Sequence, residues 1–359
     1  MPRRSRVRPS MRQVAEAAGV SMATASNALN GTGRLSEPTR RRVLEAAREL
    51  SYLPYNSARA AARGGVGLLG LSLATYGEAP VAYTQIPYYS QLILAATAAA
   101  HQRGYLLTVL PGSMSHWTWL TTPLDGVIHT EPRLDDPIRA VLKRRGIPIV
   151  YQGRPPVPAA GDAWVDSDVA TGATQLLDQL AENGSRRAAL VLPLHDDAYP
   201  ELVRETYERW CHEHRQAALL ETFEVPGEYP ESERAAVHRL LERRPRPDAI
   251  VGIYSPSGHN ILAAASSRRL RVPERLKVAC LSEDPAYATT SPPVTTVSLR
   301  PDLLGAEAVD LLLAIIDGRQ RSPRQRLVDP VLHVRRSTMS PAAAHQSCTV
   351  PSASRLYGR

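Results

Sequence analysis

Ser21, Thr24, Ser26 and Asn27 fall within seven consecutive residues of the stretch AGVSMATASNALN (18–30). Three hydroxyls and one carboxamide can exchange hydrogen bonds with phosphate oxygens and with base edges. Met22 and Ala23, between them, offer only apolar contact of the kind a thymine methyl group accepts. Only Ala25, Ala28 and Leu29 could face a core. A helix of these residues, entered through the Ala-Gly-Val turn at Gly19, would present most of its surface outward. Its chemistry is contact with something outside the chain.

The charge supports a polyanionic contact. The first 65 residues hold 12 Arg and 4 Glu, which is the whole net charge of +8. The remainder is balanced, with 31 basic and 31 acidic residues. A basic module on a neutral body suits a nucleic acid. Lysine occurs only at Lys143 and Lys277. Cys211, Cys280 and Cys348 are far apart and odd in number, so neither a disulfide framework nor a metal site is expected. No apolar run reaches the ~18 residues of a membrane span. The basic start MPRRSRVRPSM is followed by polar residues rather than a signal-peptide core. The chain is therefore expected to be cytoplasmic.

The elements that must position these residues can be read from caps and periodicity. At 359 residues, two or three units are expected. Ser10 with Gln13 forms a capping box before MRQVAEAA, Ser21 can cap a second helix, and Ser36 a third that has Pro38 in its first turn. Val14, Ala18, Val20, Leu29, Val43, Ala47 and Leu50 recur at helical spacing and supply a small core. Helix, glycine turn, helix is a helix-turn-helix pattern, whose second helix enters the major groove. From Val66 apolar runs alternate with helical patterns, from GLLGLSLA to KVACLSED. Then follow one more helix, DLLGAEAVDLLLAIIDG, and one more strand, RLVDPVLHVRRST. This alternation predicts parallel, doubly wound sheets, enough for two lobes.

The chain resembles the LacI/GalR family of bacterial transcription regulators. The resemblance is carried by VAEAAGVSMATASNALN, LSEPTRRRVLEAARELSYLP and NSAR, and then by GLLGLSL, LDGVI, GIPIVYQGRP, VDSDVATGATQLLDQLAENGSRRAALV and SPPVTTV. It implies an all-α helix-turn-helix headpiece (10–53), a hinge helix (54–65) and a two-lobed α/β domain like the periplasmic binding proteins (66–338). Residues 339–359 are expected to form a disordered tail. The resemblance also implies a homodimer on a palindromic operator, with a small-molecule effector, such as a sugar or derivative, between the lobes. No cofactor, metal or catalysis is implied.

Matched position by position, the DNA contacts are Ser21, Met22, Ala23, Thr24, Ser26, Asn27 and Asn30. Ser10, Ser36 and Thr39 act as phosphate anchors near helix N-termini. In the hinge, Ala61 stands where the family has a wedging leucine and Tyr55 where it has an asparagine, while Arg59 matches. Either the DNA bend is weaker or Tyr55 compensates. In the cleft, Tyr89 could stack on a ligand or belong to the core. Arg204 matches an effector-gripping arginine, suited to carboxylate or hydroxyl groups. The family's Asn-Asp pair is Tyr254-Ser255 here, and its late aspartate is Ser282. Gln152 and Arg154, at a strand end, are further cleft candidates. The departures leave open a different effector, a different pose, or none.

Other patterns resolve to structure. GVGLLG (65–70) spells G-x-G-x-x-G but precedes a strand, whereas a dinucleotide loop follows one. HDD (195–197) has no partner cluster, and Asp166 and Asp168 read as caps after a strand. The reading is a transcription regulator, and a repressor. A solute-binding protein would need a signal peptide, and an enzyme would need a catalytic cluster. The tail lacks leucine heptads, so no added tetramerisation helix is expected.

Overall fold

A computed structural model describes residues 10–29, 33, 35–50, 65–73, 86–111, 114–134, 136–194, 198–224, 231–319 and 324–340. Asn30, Tyr55, Arg59 and Ala61 lie outside these residues. So do the hinge segment before Gly65 and the tail beyond Ser340. The chain divides into two compact units, residues 1–67 and 68–359.

The first unit contains α1 (Met11–Ala17), α2 (Met22–Leu29) and α3 (Glu37–Glu49). The capping box at Ser10 and Gln13 is formed, with each residue bonding the other's main-chain N–H. Ser36 caps α3, and Pro38 lies in its first turn. Val14, Ala15, Ala18, Ala25, Ala28, Val43, Ala46 and Ala47 make the core, flanked by Val20, Leu29, Leu35 and Leu50. Alanine dominates it, so the three helices approach closely with little bulk between them.

The second unit has two sheets. The first joins β1 (Leu68–Leu73), β2 (Leu106–Pro111), β3 (Gly126–Thr130), β4 (Ile149–Gln152), β5 (Trp164–Ser167) and β11 (Gln325–Val328), in the order β11-β5-β4-β3-β1-β2. All its pairings are parallel. The second joins β6 (Ala188–Leu194), β7 (Leu219–Glu224), β8 (Ala249–Gly252), β9 (Lys277–Cys280), β10 (Thr295–Ser298) and β12 (Val331–His333), in the order β12-β10-β9-β8-β6-β7. It is parallel apart from β10–β12.

Helices cover both faces of each sheet, which is why central strands such as β6 are apolar at successive positions. Leu190 and Leu192 of β6 pack with α7 (Val169–Glu182) and α8 (Ala198–Glu213). Ala189 and Val191 pack on the opposite side with α9 (Glu231–Glu242) and α10 (Ser257–Ser267). In the first lobe, α4 (Pro87–Gln102) and α11 (Pro301–Ile316) lie together on one face. They approach so closely that a Cβ on Gly305 would come 2.5 Å from the Leu92 carbonyl. The other face is covered by α5 (His116–Thr121) and α6 (Pro137–Arg144).

The chain passes between lobes three times: at Asp168, at Leu299-Arg300 and at Asp329-Pro330. The last passage corrects the single strand expected over 326–338. Two short strands form there, one in each sheet, because Pro330 has no N–H to continue a ladder.

Candidate functional site

On the first unit, Met22 is 56% exposed, and Ala23 and Asn27 are also exposed. The hydroxyls beside them are partly committed to the helix itself. Ser21 Oγ accepts the N–H of Thr24 at 3.1 Å and shares a hydrogen bond with Thr24 Oγ1 at 2.9 Å. Ser36 and Thr39 repeat the arrangement at the start of α3, with their hydroxyls 2.8 Å apart. Each pair keeps spare lone pairs beside main-chain N–H groups that carry the partial positive charge of a helix start. Such an end suits a phosphate. Ser26 is half-buried beside Asn27. Gly33 (φ +75°) leaves room for the Asn27 amide, since a Cβ there would lie 3.1 Å from Asn27 Nδ2.

On the second unit the candidate effector residues lie at the carboxyl ends of parallel strands, where open α/β sheets bind ligands. Gln152 ends β4, is 2% exposed, and donates from Nε2 to the Tyr88 hydroxyl at 2.9 Å. Its Oε1 accepts no hydrogen bond among the described residues. Tyr89 is buried in α4, donates to Glu131 after β3, and meets Tyr88 edge to face at 5.4 Å. Tyr88 itself packs against the core of the second lobe. Arg154 is exposed. Its N–H donates to Asp166 Oδ2 at 3.0 Å, and its guanidinium lies 5.9 Å from the Trp164 ring.

The second lobe contributes neutral groups. Tyr199, at the start of α8, donates to the carbonyls of Ile253 and Leu281 and so bridges the ends of β8 and β9. Ser282 and Ser255 share a hydrogen bond at 2.9 Å. The turn carrying Tyr254 is braced from below. Ser257 Oγ accepts the Tyr254 N–H and donates to Glu233, which Asn260 also holds. Burial raises the Glu233 pKa despite these two donors. Tyr287 donates to the Ser255 carbonyl and accepts from the Gly258 N–H.

Arg204 is placed differently. Its guanidinium is bound by Glu201 and Glu208 of its own helix, the latter at 2.8 Å. Asp168 caps α7, accepting from the Thr171 N–H at 3.1 Å. Asp166, expected to be a cap as well, lies inside β5 and does not cap α7. It holds the N–H groups of Arg154 and Ser167, yet burial raises its pKa to about 6. Burial is also the first cause raising the hydroxyl pKa of Tyr88, followed by the fields of Asp166 and Glu131. Burial raises Tyr199 likewise. Tyr88, Glu131 and Tyr199 thus join Gln152 as candidate site residues, and Asp166, expected only as a cap, joins them. The signal that could have found them is the one that found Gln152: polar residues in the last positions of a strand, just past its carboxyl end, or in the helix that follows.

Among the described residues no group of His, Cys, Asp and Glu is placed to hold a metal ion. No described helix is long and apolar enough to cross a membrane.

A helix-turn-helix unit and two parallel-sheet lobes in one chain, the lobes with polar groups gathered at their strand ends, define a DNA-binding regulator carrying an effector-binding domain. Comparison with known proteins agrees. Residues 10–55 match the bacterial regulatory proteins of the lacI family, and residues 177–338 match the periplasmic binding protein-like domain. The chain is 30% identical to the HTH-type transcriptional regulator CelR of Thermobifida fusca, over 92% of this chain and 99% of that one. It is 26% identical to the HTH-type transcriptional repressor CytR of Escherichia coli (strain K12), over 91% and 96%. A solved complex of the transcriptional regulator CelR with cellobiose superposes with a TM-score of 0.69 at 26% identity, over 92% of this chain and all of that one. The Lac repressor dimer bound to operator and the anti-inducer ONPF shares the fold, with a TM-score of 0.70 at 21% identity, over 92% and 99%. The chain belongs to the LacI family of transcriptional regulators.

Proposed function

We propose that this regulator is a cytoplasmic repressor that binds a palindromic operator as a homodimer, without enzymatic activity. Its DNA affinity is set by a small molecule, a sugar or sugar derivative, held between the lobes. Residues 10–53 read the DNA, 54–65 form the hinge, and 66–338 bind the effector and the second copy. The mechanism is linkage: an effector that favours one lobe arrangement shifts the equilibrium between DNA-competent and incompetent states. The observation that carries this reading is the exposed face of α2, where Met22, Ala23 and Asn27 face outward from a packed core. Ser21, Thr24 and Ser26, with Asn30, complete the recognition surface. Ser10, Ser36 and Thr39 anchor phosphates. Arg59 serves the minor groove, flanked by Tyr55 and Ala61. The relative complexed with cellobiose supports a saccharide-sized effector.

The test is selection of the full chain on a randomised duplex library, with the winner's affinity followed against salt. A palindromic consensus with steep salt dependence is expected. Asn27→Ala should relax preference at one base pair per half-site, costing about 1–3 kcal/mol of discrimination there. An unchanged consensus for that variant would remove Asn27 from base reading, and no enrichment at all would sink the proposal.

A further inference from the structure

The turns that lead into the strands of the second lobe carry charge that the body as a whole does not. They are 183–187, 214–218, 243–248 and 268–276, and each joins a helix end to the amino end of β6, β7, β8 or β9. In these 25 residues stand ten arginines and two acids, Asp248 and Glu274. Their net charge of +8 equals that of the first 65 residues, and it leaves the rest of residues 66–359 at −8. The matching turns of the first lobe, 103–105, 122–125 and 145–148, hold two arginines and one aspartate. Both of those arginines, Arg103 and Arg145, donate to main-chain carbonyls of their own lobe.

The four strands are neighbours in the order β9-β8-β6-β7, so the turns form one row about 14 Å long. Asp248 takes the N–H groups of Arg186 and Arg187, and Arg187 donates to the Arg246 carbonyl at 3.0 Å, which ties the middle two turns together. Arg186, Arg215, Arg269, Arg271 and Arg275 are exposed, and their guanidinium groups have no hydrogen bond or ion pair among the described residues. The chain continues from this same end. The Ser340 N–H donates to Asn183 Oδ1 at 3.0 Å, and residues 341–359 add two arginines and no acid. A second, independent feature concerns Arg215 (φ +53°) and Arg269 (φ +54°), which adopt the left-handed conformation that closes α8 and α10. Glycine takes that place after α4, α6, α7 and α11, as Gly104, Gly146, Gly184 and Gly318. A side chain is disfavoured there, so stability does not account for these two cations.

We propose that this row is a second DNA-contacting surface, which takes the phosphate backbone of a duplex without reading its sequence. Forked guanidinium groups suit phosphate oxygens. A duplex sets about four phosphates of each strand along about 14 Å of its axis. An acidic protein partner would need an apolar anchor at the centre of its contact. None of the large exposed apolar side chains among the described residues lies in these turns. The row is at the end of the second lobe opposite Tyr254, Ser255 and Ser282, which stand past the carboxyl ends of β8 and β9. A duplex held there leaves the proposed effector site uncovered. A regulator seated on its operator through the headpiece thereby gains a hold on a second segment of DNA.

The test counts duplexes bound per full-length chain at low salt, by analytical ultracentrifugation with a short dye-labelled duplex of arbitrary sequence in excess. The wild type should bind one more duplex per chain than a variant carrying Arg186→Ser, Arg215→Gly, Arg269→Gly, Arg271→Ser and Arg275→Ser, which keeps its headpiece binding. Arg215→Gly with Arg269→Gly alone should make the salt dependence of the additional binding shallower by about 2 in logarithmic slope. The melting temperature of that pair should stay level or rise, because glycine suits both backbone positions. A melting temperature that falls, with the salt slope unchanged, would return the two arginines to a structural role and overturn the proposal. Equal duplex counts for the wild type and the fivefold variant overturn it as well and leave the headpiece reading standing. Polyglutamate that binds the wild type where no additional duplex does would assign the row to an acidic protein instead. No duplex bound at all would overturn both DNA readings.

Discussion

The two surfaces proposed to carry the function of this regulator are built in opposite ways. The recognition face of α2 is local: Ser21, Thr24 and Asn27 lie within seven residues, and the hydroxyls are held by bonds to neighbours three positions away. The proposed effector site is assembled from afar. Tyr88 meets Gln152 from 64 positions away, Tyr89 meets Glu131 from 42, and Ser255 meets Ser282 from 27. The difference teaches where each site is vulnerable. A local site depends on the integrity of three short helices. A site made of strand ends depends on burial and register, and it can hold charges that a solvated helix face could not shift.

The sharpest way to break the comparison is to destroy one site and leave the other. Val14 is fully buried in the first unit. Val14→Asp places an unpaired carboxylate there, at a cost above about 4 kcal/mol. Operator binding should be lost, while calorimetry still shows the thermal transition of the 68–359 unit. Loss of both transitions would show that the two units fold as one.

A smaller effect sharpens the electrostatic half. Asp166 has a folded pKa of about 6, above its usual value of 3.8, so the folded state binds more protons than the unfolded state between those values. The stability of the ligand-free protein should therefore fall as pH rises from about 4 to about 6. Asp166→Asn, which stays neutral, should be ~1–2 kcal/mol more stable than wild type at neutral pH. The gain should fade below the folded pKa, where the wild-type carboxyl is neutral too. Melting curves across that range check the sign, and a variant less stable at every pH would mean that its bonds to the Arg154 and Ser167 N–H groups outweigh its desolvation.

The smallest effect tests the local half. Ser36→Ala removes the cap of α3 and should cost about 1 kcal/mol of headpiece stability. Operator affinity should fall further than that loss explains if the hydroxyl also anchors a phosphate. Comparing the melting shift with the affinity shift on the selected operator separates the two roles.

The sequence itself determined the headpiece. Caps at Ser10, Ser21 and Ser36, the turn at Gly19 and the spacing from Val14 to Ala47 act over one or two helical turns, so residue order alone specifies them. It also determined the rhythm of parallel strands, because strands buried on both faces must read as apolar runs. What it could not determine was which lobe each late element joins. The helix 301–316 returns to the first lobe, and the run 325–333 is divided between two sheets, because sheet order depends on contacts that sequence proximity does not encode. Nor could it determine partners. Arg204 has acids at positions 201 and 208 of its own helix and is bound by them. Asp166 looked like a cap, but burial raises its pKa and its field reaches Tyr88, far off in sequence. Local hydrogen bonds are written in neighbouring residues. Desolvation and the summed field of separated charges exist only once the chain has folded around them.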